Sequence, residues 1–240
     1  MIAVQDWKEH NGDTMKIKTD HPRVLNVFQT REQTRAFYNK ISGVYDLLAD
    51  RSEAPVRRAG LELLKAGTGE KILEIGFGTG HCLVSLAKAV GPNGCVFGLD
   101  LADKMLKMAK VNLSEAGMSE RVRLRCGDAV EMPYTDACMD AVFMSFTLEL
   151  FDTPEIPRVL HECKRILRVG GRIVVVGMSK QGKREPLIGV FEWAHKHLPN
   201  FVDCRPIFVR EALEQAGFRI TKALKKHMWI PVEVVCGISE

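Results

Sequence analysis

The chain has 240 residues, a net charge of +4, 46% hydrophobic and 27% charged residues. That length buries one full core, so a single domain over 1–240 is expected. The small positive balance lacks the clustered basic and aromatic stretches of a nucleic-acid binder. The N-terminus has no apolar leader core, and no apolar run approaches the roughly 18 residues of a membrane span, so a cytoplasmic protein is expected. Seven cysteines are scattered without a CxxC pair, which argues reduced thiols and no metal site.

In chain order, residues 1–27 read as a polar arm. Residues 28–66 read as two N-terminal helices over the ligand edge of a sheet. Thr30 and Gln33 form a capping box, and Phe37, Ile41, Val44 and Tyr45 recur at helical spacing, with Gly43 interrupting the pattern. The second helix runs from Ser52 to Lys65. Strand Lys71–Ile75 leads through Gly76, Gly78 and Gly80 into helix His81–Val90, and strand Cys95–Leu99 ends on Asp100. A helix from Asp103 to Ala116 precedes strand Val122–Cys126 and the turn Gly127-Asp128-Ala129. Strand Met139–Phe146, a helix from Pro154 to Arg168, Gly170-Gly171 and strand Arg172–Gly177 complete the alternation. Residues 179–216 read as an insertion on the substrate side, with helices Leu187–Leu198 and Phe208–Ala216. Phe218–Leu224 and His227–Val235 read as a hairpin. The βαβ repetition predicts an α/β fold, a Rossmann-like, mostly parallel sheet with helices on both faces.

The glycine turn is GxGxG, not the GxGxxG of a dinucleotide site, and His81 stands where the third glycine of that pattern would be. Glu74 stands before the turn, where a carboxylate would repel a pyrophosphate. It suits a cofactor with no phosphate and a positive centre, S-adenosylmethionine. Asp100 is placed to accept the ribose hydroxyls, and Asp128 to bond the adenine amino group.

EIGFGTG (Glu74 to Gly80), Asp100, Asp128-Ala129, MDAVFMSFTLELF (Met139 to Phe151) and RILRVGGRIVVVG (Arg165 to Gly177) together resemble the class I S-adenosylmethionine-dependent methyltransferases. The resemblance covers residues 37–224. FYNKISGVYDLL and Ser179-Lys180 are similar to the ubiquinone/menaquinone C-methyltransferase branch. Phe146-Thr147-Leu148-Glu149-Leu150 departs from the polar stretch of that branch. The resemblance implies a seven-stranded sheet with its last strand antiparallel. It also implies a cofactor held by Glu74, Gly76, Phe77, Gly78, Gly80, Asp100, Leu101, Met105, Asp128, Ala129 and Ser145, with Tyr38 or Tyr45 folded over it. The expected activity is methyl transfer to a small or lipophilic acceptor: a quinol, a phenol or a lipid-like molecule. Glu149, His195 and Tyr45 are the candidate bases. Lys180, Lys183 and Arg184 allow contact with an anionic substrate or the membrane surface. The competing readings are a catalytically silent cofactor-binding module acting through a partner and a nicotinamide oxidoreductase.

Overall fold

The computed structural model describes Val24, Val27, residues 30–180 and residues 205–240, with residues 41–51 described by backbone alone. Seven strands form one sheet: β1 (Lys71–Ile75), β2 (Cys95–Asp100), β3 (Val122–Cys126), β4 (Met139–Ser145), β5 (Leu167–Met178), β6 (Phe218–His227) and β7 (Pro231–Ser239). Their order is β3-β2-β1-β4-β5-β7-β6. Neighbours from β3 to β5 are parallel, and β7 pairs antiparallel with both β5 and β6. The strand order turns at β1 and β4, which opens a crevice at their C-terminal ends.

The alternation of side chains along the strands sends two apolar sets to opposite faces. On β4, Val142 and Met144 join Leu73, Ile75, Val159 and Leu213. Ala141 and Phe143 face the other way, against Ile72, Leu64, Leu86 and Leu113. The first face is covered by α4 (Ile156–Ile166) and α5 (Val209–Gln215). The second is covered by α1 (Arg31–Leu64), α2 (His81–Val90) and α3 (Asp103–Glu115).

Four element expectations change, the first in the hairpin, where His227 ends β6 and β7 begins at Pro231. The two N-terminal helices are one helix of 34 residues, with Pro55 inside it. Gly43 costs a helix roughly 1 kcal/mol and does not stop this one, because the C-terminal half of α1 is anchored by Val56 and Leu64 on the sheet. The fourth helix begins at Ile156 rather than Pro154. β5 begins at Leu167, so Gly170-Gly171 lies inside the strand rather than before it, beside a register shift against β4. The arm apart from Val24 and Val27, the helix Leu187–Leu198, Lys183, Arg184 and His195 lie outside the described residues. Of Tyr45 only the backbone is described, within α1. No helix among the described residues is long and apolar enough to cross a membrane.

Candidate active site

The crevice above β1 and β4 is a cavity floored by the glycine turn. Gly76, Gly78 and Gly80 all adopt positive φ, which favours glycine. At Gly76 space decides as well: a Cβ would lie 2.3 Å from Thr147 Oγ1. Gly80 does not line the cavity. It precedes α2, and a Cβ there would lie 3.1 Å from the Ala109 Cβ, so it serves the close packing of α2 on α3.

Glu74, at the end of β1, lines the cavity and is 2% exposed. Its Oε2 is buried with no hydrogen-bond partner. Burial pushes its carboxyl well above the ordinary range; the Arg57 charge opposes that shift and Asp100 adds to it. An acid kept in this state fits a ligand that brings a positive group. Asp100 is held from two sides: Gly78 N–H donates to Oδ2 and Ala102 N–H to Oδ1, each at 2.9 Å. Burial pushes its carboxyl up to about 6 against the pull of these bonds. The Leu101 N–H bonds the carboxylate as well, which leaves about one of its roughly four lone-pair sites for a further donor.

The other expected cofactor contacts come to the same cavity. Phe77, Leu101, Met105 and Ala129 supply apolar surface, and Ser145 lies at the end of β4 with its Oγ buried and unbonded. Asp128 lines the cavity with Oδ1 accepting from Val130 N–H and Oδ2 3.0 Å from Arg31 Nε. Tyr38 reaches in from α1, its ring edge-on to Phe37.

Glu149 does not line the cavity. It is fully buried in the short 3-10 turn Leu148–Leu150, and its Oε1 accepts from Met178 N–H at 3.0 Å. Burial pushes its carboxyl up to about 7. Buried Arg205 donates to the Glu149 and Phe151 carbonyls, at 3.2 and 2.9 Å, and clamps this turn.

Sequence reasoning missed the cations of α1. Arg31, Thr34, Arg35 and Tyr38 line the cavity from one face of the helix. Arg31 also pairs with Glu155 at 3.0 Å and stacks 4.6 Å over the Phe151 ring. Arg35 and Asn39 both bond Asp103 Oδ1, at 3.2 and 2.8 Å, which ties α1 to the start of α3. Glu53 and Arg57 form an ion pair of 3.1 Å in the cavity wall. The spacing 31-34-35-38 and 53-57 is present in the sequence, but charged helix faces usually point to solvent. Among the described residues there is no cluster of His, Cys, Asp or Glu that could hold a metal.

Residues 72–171 match the family model of a methyltransferase domain. The demethylmenaquinone methyltransferase of Lactobacillus johnsonii is 34% identical over 146 residues, which is 60% of this chain and 58% of that protein. That of Lactococcus lactis is 27% identical over 203 residues, 83% of this chain and 73% of that protein. Among solved structures, a SAM-dependent methyltransferase from Aquifex aeolicus superposes with a TM-score of 0.62 at 20% identity, over 86% of this chain and 98% of that one. The seven-stranded order, the glycine turn with its buried acid and these likenesses agree: residues 72–171 match a methyltransferase domain, on a fold shared with S-adenosylmethionine-dependent methyltransferases.

Proposed function

We propose that the protein transfers a methyl group from S-adenosylmethionine to a small lipophilic acceptor, a quinol or phenol of the kind named by its demethylmenaquinone methyltransferase relatives. The observation that carries this reading is one cavity lined both by Glu74, Gly76 and Gly78 and by the apolar side chains of Phe146, Leu150 and Phe151.

When bound, S-adenosylmethionine supplies the methyl group already activated on a sulfonium. The chain then has to bind, align and exclude water. Glu74 takes the cofactor's amino group, and Asp100 uses its remaining lone pair for a ribose hydroxyl. Arg31, ion-paired with Asp128 and Glu155, holds α1 against the cavity. The Glu53–Arg57 pair adds a charged feature to the same cavity wall, with the Arg57 charge felt by the Glu74 carboxyl. Arg57 steadies negative charge on the acceptor oxygen, and Glu53 receives its proton. A partly buried ion pair gains little stability, so its place in a cavity wall supports a role in binding. Glu149, closed off below the cavity, holds the end of β5 to the turn after β4 and is a positioning residue.

The test is incubation of the full chain with methyl-labelled S-adenosylmethionine and a short-chain demethylnaphthoquinol, followed by mass spectrometry. The expected product carries one labelled methyl group. Cofactor binding without transfer to quinols, phenols, amines or phospholipids would favour a silent cofactor-binding module instead.

A further inference from the structure

The hairpin of β6 and β7 carries a surface that methyl transfer leaves unused. Both β5 and β6 run antiparallel to β7, so β6 points the same way as the parallel strands. Its last residues therefore reach the edge of the sheet where the cavity opens. From Phe218 to Val232 the chain has Arg219, Lys222, Lys225 and Lys226 and no acid. Arg219 is paired with Glu240 at the far end of the strand. Lys222, Lys225 and Lys226 are exposed. Glu233, across from Lys225 in register, is 2% exposed and bonded to Ser179 and the Val209 backbone.

The tip is as distinctive as the charge. Trp229 stands 47% exposed between half-buried Met228 and fully buried Ile230. Beneath it, Ile230 and Met178 form a small apolar cluster with Met228 and Phe146. Phe146 also lines the cavity, so the underside of the tip and the acceptor wall share one side chain. Lysines on an edge strand hinder edge-to-edge pairing. That accounts for the lysines along β6 but not for an exposed indole at its end. An indole at headgroup depth flanked by lysines is the arrangement of an interfacial anchor.

We propose that the β6–β7 tip, through Trp229 with Lys222, Lys225 and Lys226, docks the protein on an anionic lipid bilayer and turns the Phe146 side of the cavity toward it. The benefit of docking rests on the lipophilic-acceptor reading; docking itself is measured without acceptor. The full chain is sedimented with vesicles of phosphatidylcholine alone, and with vesicles of phosphatidylcholine and phosphatidylglycerol in equal parts. Binding is expected to the mixed vesicles only, and to fall at high salt, where screening shortens to about 3 Å at 1 M. K225A/K226A should lower partitioning about 25-fold, at about fivefold per lysine. W229A should lower it as well, with the thermal midpoint and S-adenosylmethionine affinity of both variants unchanged.

Absent or equal binding to the two vesicle types overturns the proposal, as does wild-type partitioning by both variants. Binding to single-stranded RNA without vesicle binding would assign the strip to nucleic acid and also overturns it. Docking without methyl transfer to a soluble acceptor would leave the membrane surface in place and remove the acceptor reading.

Discussion

Gly76 and Thr147 meet across the crevice, with no room for a methyl group between them: a Cβ at Gly76 would sit 2.3 Å from Thr147 Oγ1. The G76A variant meets that contact and a φ of 70° together. Left-handed backbone costs roughly 1–2 kcal/mol and overpacking about 1–3 more. G76A is therefore expected to lower the thermal midpoint by several degrees and weaken cofactor affinity at least tenfold, read by thermal denaturation and calorimetry. Wild-type affinity in G76A would show that the turn does not hold the cofactor.

Glu74 should trade stability for binding. Its Oε2 is buried without a partner, and such a group costs about 1–3 kcal/mol. E74Q is expected to match or exceed the wild-type thermal midpoint without ligand, while binding S-adenosylmethionine about tenfold or more weakly. A drop in midpoint with unchanged affinity would make Glu74 a structural acid.

The Glu53–Arg57 pair separates acceptor chemistry from cofactor binding. E53Q keeps the side-chain shape and removes the proton acceptor. Turnover on a quinol should fall about tenfold or more, in the range of general-base loss, with S-adenosylmethionine affinity within about twofold of wild type. Full turnover in E53Q would move proton removal elsewhere.

Glu149 makes stability depend on pH in a definite direction. Its carboxyl is pushed up to about 7 from an ordinary 4.5. The folded state therefore holds a proton that the unfolded chain has already released, and stability falls as pH rises from 4.5 through about 7. E149Q removes this contribution and should be more stable than wild type at pH 8, by up to about 3 kcal/mol, with no difference near pH 4. Denaturant unfolding at the two pH values checks it; a less stable E149Q at pH 8 would contradict the sign.

The parallel frame was legible because its strands and turns are local. Lys71–Ile75, the glycine turn and Cys95–Asp100 are read from one short stretch, and the structure puts them where that reading has them. The length of α1 was not legible, since Gly43 looks like a stop until Val56 and Leu64 are seen on the sheet. The α1 charges were hidden for the same reason: Arg31, Arg35, Glu53 and Arg57 look like a solvated face, and only tertiary placement turns them into the cavity. Glu149 shows the opposite error. A carboxylate just after β4 looks poised for chemistry, yet the chain around Met178 and Arg205 closes over it.

The central claim is that the glycine turn with Glu74 and Asp100 holds a sulfonium nucleoside. Titration calorimetry of the full chain with S-adenosylmethionine, and separately with NAD, tests it most directly. Saturable binding of S-adenosylmethionine with one site per chain, and none of NAD, is the expected result. No heat with S-adenosylmethionine at millimolar concentration, or binding of NAD in its place, would contradict the account.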